Sequence, residues 1–552
     1  MKKISLFFLS IITTSILNAQ TKPKTNTGTP SVPKLVVGIV VDQMRYDYIY
    51  RYLNKFSDNG FKRLVNQGFF CRNTNYNYVP TYTGPGHASI YTGSTPAVHG
   101  IIANDWYRKN EKDTMYCVAD ASVKTVGAVN ASGKMSPVNL MTTTITDELR
   151  LVTNFKAQVF GISMKDRGAI LPAGHAANAA YWFDGATGNW VTSSYYMNEL
   201  PKWVQGFNSK KLPTEYLSKP WETLQPIERY TESTADDTPY EQAFRNEAKP
   251  VFPHNFAAMR DSASPYGAFE MIRRSPLGNR LTTDFAKELI LNERIGRDDV
   301  TDFLAISYSC TDYVGHQFGT YAIETEDTYL RLDKDLGNLF DFLDAYVGLS
   351  NTLIFLTADH GASQNAAFLT DNKLPGGTFP FNAVKDSLNK FLKAKYGDGN
   401  WMECFDNNQV FLNHTLLEQK NMDVKTVANV VADFLLQFKD VAATLTSEQL
   451  NGNQYSDIPR SLVQKGSNMK RSGDVAVILN PNILDWEMTK GTTHAAPWSY
   501  DTHVPLLWMG WKIKKGESSE PVYINDIAPT LSLFLNTAFP SGTTGKPIQG
   551  LK

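Results

Sequence analysis

Lys34-Leu35-Val36-Val37-Gly38-Ile39-Val40-Val41-Asp42 is an apolar, largely β-branched run that ends on an acid. A strand wetted on one face alternates apolar and polar residues, whereas a strand covered on both faces does not. The run therefore predicts a strand of a parallel sheet sandwiched by helices. Similar runs recur at Ala157–Ile162, Phe303–Ser307, Thr352–Thr357, Val475–Leu479 and Pro505–Met509, and helical patterns at Phe285–Glu293, Glu326–Tyr346 and Val427–Phe438 lie between several of them. This alternation predicts an α/β fold: an open, mostly parallel sheet with helices on both faces and right-handed crossovers. Two stretches break the rhythm. Residues 170–280 are rich in Trp, Tyr, Pro and Gly, and residues 362–470 in Pro, Gly and Asn. Both are read as cap insertions within one domain spanning 35–552.

Upstream, Lys2-Lys3, an apolar stretch from Ile4 to Leu17 and Asn18-Ala19-Gln20 read as a signal peptide over 1–20, followed by a Thr/Lys/Pro linker over 21–34. The stretch is too short for a bilayer core of ~30 Å, and no other apolar run is long enough, so an exported chain without a membrane span is expected. Hydrophobic residues make up 42% and charged residues 20% of the 552, which excludes a disordered chain. The 54 Lys+Arg balance 55 Asp+Glu and form no basic block, which leaves no electrostatic footprint for nucleic acid. Cys71, Cys117, Cys310 and Cys404 lie far apart without metal-type spacing. In an exported chain one or two disulfides are then expected, with Cys71–Cys117 and Cys310–Cys404 the preferred pairing and free buried thiols the alternative.

In open α/β sheets ligands bind at the carboxyl ends of strands. The residues there are acids and histidines: Asp42 after the first run, Asp312 and His316 after Phe303–Ser307, and Asp359-His360 after Thr352–Thr357. Asp312 and His316 are four apart, which on a helical turn brings both side chains to one ion. Asp359 and His360 are adjacent; on an extended backbone they diverge, to serve different atoms of one ion or to straddle two. Together these residues form an inventory of metal ligands.

Thr83-Gly84-Pro85 precedes an apolar helical pattern, which puts the Thr83 hydroxyl at a helix N-terminus, where backbone N–H groups favour an anion. Asn104 adds an amide donor. Lys165 and Arg167 follow a strand two residues apart; if extended, they point the same way and can grip one multiply charged group.

Taken in order, Asp42, Thr83 in T-x-x-x-H, Asn104, Lys165-x-Arg167, Asp312-x-x-x-His316, Asp359-His360 and Gly491-Thr-Thr-His494 resemble the alkaline phosphatase superfamily, and more narrowly its PafA-type periplasmic phosphate monoesterases. The resemblance runs from about residue 35 to 540. It implies two Zn2+: one held by Asp312, His316 and His494, the other by Asp42, Asp359 and His360, with Thr83 as nucleophile coordinated to the second. Asn104, Lys165 and Arg167 would bind the phosphoryl oxygens. His503, in Asp-Thr-His-Val-Pro, competes with His494, whose Gly-Thr-Thr-His setting matches the family.

The resemblance implies a periplasmic alkaline phosphatase that hydrolyses phosphate monoesters through a phosphothreonine. A zinc ion lowers the pKa of a Thr hydroxyl, so no neighbouring base is needed. Small phosphate monoesters are the expected partners, with no specific nucleic acid and no need for an oligomer. The alternatives are a phosphodiesterase/nucleotide pyrophosphatase of the same superfamily and a non-catalytic metal-stabilised binding protein. A sulfatase is disfavoured because its C/S-x-P-x-R string does not occur. His87, His99, His175, His254 and His414 are read as structural or surface residues.

Overall fold

Residues 30–259, 264, 267–485 and 489–551 are described by the computed structural model. The expected signal peptide and most of the linker lie outside them. Eleven strands form one sheet. Its centre is five parallel strands in the order Thr352–Thr357, Leu35–Val41, Asp302–Tyr308, Val159–Ser163 and Ala179–Asp184. On one flank His503–Gly510 runs antiparallel and pairs with Phe69–Asn75, which also carries the short strands Gly516–Ser518 and Val522–Tyr523. On the other flank Asn189–Ser193 and Thr125–Val126 are antiparallel.

The β-branched runs become central strands because both faces are covered. Every residue of Leu35–Val41, Asp302–Tyr308 and Thr352–Thr357 is buried. Helices Thr83–Thr92, Ile145–Val152, Asp166–Ala173 and Ile527–Leu535 pack together as one layer, and Phe61–Gln67, Leu277–Glu293 and Ile323–Tyr346 as another. Each fully buried Val, Leu or Ile stabilises the sandwich by ~1.5–3 kcal/mol. Gly38 interrupts the first run for a steric reason: a Cβ there would sit 2.5 Å from the Tyr91 hydroxyl and 2.6 Å from the Phe355 ring.

Register decides where the chemistry can be. Val40 pairs with both Ser307 and Thr357, and Ser163 pairs with Ser307, so the central strands end level with one another. Asp42, Asp312, Asp359 and Lys165 thus follow strands that finish on one edge.

Three expectations need correction. Residues 170–280 do not stand apart as a cap: Ala179–Asp184 and Asn189–Ser193 extend the central sheet, and Trp190 stacks on Phe285 with ring centroids 4.2 Å apart. Aromatic density here marks the edge of the main core. The second insertion does carry its own core, built on Phe379, Leu388, Trp401, Val431 and Leu435. It reaches past residue 470, because Val475–Leu479 belongs to its four-stranded antiparallel sheet with Met402–Asp406, Gln409–Leu412 and Val441–Thr446. A buried apolar run does not reveal which of two sheets will cover it. The four cysteines are free thiols. They sit on separate elements: Cys71 in Phe69–Asn75, Cys310 opening the helix Cys310–Phe318, Cys404 in the insertion's sheet and Cys117 in a loop after the hairpin strand Asp113–Tyr116.

Candidate active site

Two clusters of potential ligands lie at this edge. Asp312, His316 and His494 form one, Asp42, Asp359 and His360 the other, and within each the ligand atoms lie within 4.8 Å of one another. Asp312 and His316 both sit on the helix Cys310–Phe318, with His316 Nε2 3.1 Å from Asp312 Oδ1. His494 Nε2 approaches the same oxygen at 3.5 Å. Asp359 and His360 serve one cluster together, His360 Nε2 lying 3.5 Å from Asp42 Oδ1 and 3.6 Å from Asp359 Oδ2. His503 lies elsewhere, its Nε2 bonded to the Arg72 carbonyl and its ring stacked 3.9 Å from that of Tyr46.

The residues fit metal ions. Asp42 Oδ1, Asp359 Oδ2 and His360 Nε2 are all buried without a hydrogen-bond partner. A buried polar atom left unsatisfied costs ~1–3 kcal/mol, and more if charged, and one cation between these three satisfies all of them. Backbone carbonyls orient the three histidines. Nδ1 of His316, His360 and His494 faces the carbonyl oxygens of Thr492 (2.8 Å), Gly361 (2.9 Å) and Thr81 (2.6 Å). A carbonyl only accepts, so the proton belongs on Nδ1 and the Nε2 lone pair is turned into the cluster.

Thr83 occupies the first turn of the helix Thr83–Thr92 and is 1% exposed. The Asn104 Oδ1 accepts from the Gly84 N–H at 2.9 Å, which leaves its amide nitrogen as a donor. Lys165 Nζ donates to Asp42 Oδ2 (2.7 Å), Asp312 Oδ2 (2.6 Å) and Thr83 Oγ1 (3.3 Å), and so joins both clusters to the hydroxyl. The extended reading of Lys165 and Arg167 is corrected. Lys165 is the extended N-cap of the helix Asp166–Ala173, and Arg167 is inside its first turn. Arg167 donates to the Tyr116 hydroxyl at 3.0 Å, while its Nε is buried without a partner.

Burial sets the electrostatics. It raises the Asp42 carboxyl well above its ordinary range, assisted by Asp359, and pushes Asp359 up to about 6. It also holds His360 and His494 down at about 3. Asp312 goes the other way: burial opposes ionisation, but His316 and Lys165 outweigh it and keep the carboxylate well below its usual range. Burial likewise opposes the charge on Lys165, and Asp312 and Asp42 more than restore it.

Some residues of the site carry no sequence signal. Gln43 donates its side-chain amide to Asp312 Oδ1 at 2.8 Å and its backbone N–H to Asp359 Oδ1 at 3.1 Å, from a backbone at φ 61°. Its place after Asp42 is the one hint. His87, read as structural, lies beside the site: its Nδ1 is 2.9 Å from the Thr83 carbonyl and 3.5 Å from Asp359 Oδ2. Tyr116 bonds Asp166 as well as Arg167 and so holds the latter in place. Two cavities share His316. One, of about 570 Å3, is lined by Lys165, Arg167, Asp312, Tyr313, His316 and Arg274; the other, of about 370 Å3, by Tyr82, Asn104, His316, Asp406, Asp485 and His494.

Comparison with known proteins shows the family. The model of the type I phosphodiesterase / nucleotide pyrophosphatase family matches residues 36–504. The chain belongs to this family. Within the family it is 45% identical over 518 residues to the alkaline phosphatase PafA of Elizabethkingia meningoseptica, covering 94% of each chain. The crystal structure of PafA superposes with a TM-score of 0.91 at 44% identity, covering 94% of this chain and 99% of that one. A Myroides odoratus relative named a calcium-transporting ATPase is 46% identical over 520 residues, 94% of each chain. Among the described residues no helix is long and apolar enough to cross a membrane.

Proposed function

We propose that this chain is an exported, periplasmic alkaline phosphatase that hydrolyses phosphate monoesters at a two-zinc site through a phosphothreonine at Thr83. The observation that carries the reading is the Thr83 hydroxyl, buried at a helix N-terminus and joined by Lys165 to both ligand clusters. The name of the PafA relative supports the reaction class. A second PafA structure, TM-score 0.90, carries substitutions at one Thr, one Asn, one Lys and one Arg whose Thr-to-Asn and Lys-to-Arg spacings equal those of Thr83, Asn104, Lys165 and Arg167.

Asp312, His316 and His494 would hold one ion, and Asp42, Asp359 and His360, with Thr83, the other. Mixed imidazole and carboxylate donors suit zinc. Bound there, the two ions supply Lewis-acid charge that acidifies a hydroxyl and stabilises the oxygens entering and leaving phosphorus. Thr83 Oγ1 attacks phosphorus, the bond to the leaving oxygen breaks, and the phosphoryl group rests on Thr83 until water takes it. Lys165, Arg167 and the Asn104 amide hold the non-bridging oxygens. A monoester's phosphoryl group carries about two negative charges and a diester's one, so two cations favour the monoester. This argues against the diesterase reading that the family's description alone suggests. One chain supplies every one of these side chains, so a monomer suffices.

Thr83→Ala tests the reading. Turnover of p-nitrophenyl phosphate should fall by more than about a thousandfold while the zinc content by elemental analysis stays at two per chain. Turnover undiminished by the substitution would sink it, and an unsubstituted protein with two zincs and no turnover would favour the binding-protein reading.

A further inference from the structure

A further set of titratable groups is buried apart from the two ligand clusters. His254, 0% exposed, presents Nδ1 to Glu247 Oε1 at 2.7 Å and Nε2 to Glu324 Oε1 at 3.1 Å. A carboxylate only accepts, so both ring nitrogens carry protons. Burial opposes that charge, but Glu247 and Glu324 outweigh it and raise His254 to about 9. The rings of Trp221, Phe244, Phe252 and Phe318 pack around the imidazole with centroids 4.8–5.5 Å from its own, which keeps water out.

The imidazolium is outnumbered. Glu241 is 1% exposed and Glu324 is fully buried, and Oε2 of each has no hydrogen-bond partner. Thr238 Oγ1, beside Glu241, is a third buried oxygen without one. Burial raises both carboxyls, and Glu324 is the charged group that acts most strongly on Glu241. Among the described residues that act most strongly on this pair, His254 is the one cation, and Asp236 is a further acid. The carboxylates of Glu241, Glu247 and Glu324 around one imidazolium leave two negative charges, together with three unsatisfied oxygens, all of them costly to bury.

We infer that Glu241, Glu324 and Thr238 hold a calcium ion at a site separate from the active-site clusters. One divalent cation matches the surplus charge and satisfies all three oxygens. Both nitrogens of His254 are taken by carboxylates, so only oxygen donors remain, which suits Ca2+ and not zinc. The ion joins elements distant in sequence. Glu324 lies in the first turn of the helix Ile323–Tyr346, while the segment of Thr238 and Glu241 is tied to the helix of Asp312 and His316: the Gln242 N–H donates to the Gln317 carbonyl at 2.9 Å, and Gln317 Nε2 to the Gln242 carbonyl at 3.1 Å. The alternative, a proton shared by Glu241 and Glu324, satisfies their two oxygens but takes up no metal. The inference does not depend on the phosphatase reading.

The test keeps zinc saturating and uses Ca2+ alone as the probe. Equilibrium dialysis of the zinc-loaded protein should find one Ca2+ per chain, and about 10 mM Ca2+ should raise the Tm by about 1–3 °C. Glu241→Gln keeps the side chain's shape and removes a buried charge, so it should fold and bind zinc as before but lose both calcium effects. Absence of bound Ca2+ or of a Tm rise in the unsubstituted protein overturns the site in favour of the shared proton. Calcium uptake and a Tm rise that persist in Glu241→Gln place the ion elsewhere and overturn it too.

Discussion

The imidazole rings of His360 and His494 stack with centroids 3.5 Å apart and planes inclined by 17°, although each belongs to a different ligand cluster. On the proposed function, His494→Ala removes a ligand from one cluster and the packing partner of a ligand in the other. Bound zinc should drop from two to one or fewer per chain, and activity should fall by more than the ~10–100-fold typical of losing a supporting partner. His503→Ala, away from both clusters, should retain two zincs; the reverse pattern in elemental analysis would transfer the ligand role to His503.

On the proposed function, Lys165 and Arg167 set the preference between one and two charges on the phosphoryl group. Lys165→Ala and Arg167→Ala should each cost ~10²–10³ in kcat/KM for an aryl phosphate. The loss for the corresponding methyl aryl diester should be much smaller. Parallel steady-state measurements decide it, and equal losses on both substrates would remove the charge argument.

Gly315 is held to glycine by Gln43. A Cβ at 315 would lie 2.0 Å from Gln43 Oε1, the end of the side chain whose Nε2 bonds Asp312. Since that end can swing away, Gly315→Ala should fold, but Asp312 Oδ1 loses the Gln43 donor while Oδ2 keeps Lys165. Zinc affinity at that cluster should weaken ~10–100-fold in competition with a chelating dye. Unaltered affinity would show that Gln43 does not orient the ligand.

Removing the metal exposes the cost of Asp359. Burial raises its carboxyl from the ordinary 3.8 to about 6. A group raised in the folded state contributes stability in full below 3.8 and loses it as pH rises through about 6, so at pH 8 the metal-free chain carries the full penalty of a buried carboxylate. Asp359→Asn, whose Oδ1 can still accept from the Gln43 N–H, should raise the Tm of the chelated protein by a few degrees at pH 8. The gain should shrink between pH 6 and pH 4. A gain independent of pH over that window would rule out ionisation of Asp359 as its source.

Local pattern settled much of this protein in advance. The run Leu35–Val41 could be read as a doubly covered strand because seven consecutive buried positions leave no polar alternation. The spacing of Asp312 and His316 likewise implied a shared helical face, and Thr83-Gly84-Pro85 a helix start, since both depend on neighbours along the chain. The order of acids and histidines after the strands was enough to suggest a family.

Tertiary structure alone decided what distance along the chain hides. Lys165 lies 123 residues from Asp42 and 147 from Asp312, and nothing local says that its ammonium joins them. Gln43 has no motif; its role comes from a positive φ and a helix that packs across it. Val475–Leu479 has the composition of a central strand yet pairs in the smaller sheet, and Trp190 extends the main core where a cap was expected. Sequence periodicity reports whether a segment is buried, but which partners bury it depends on the path of the whole chain, and catalysis depends on those partners.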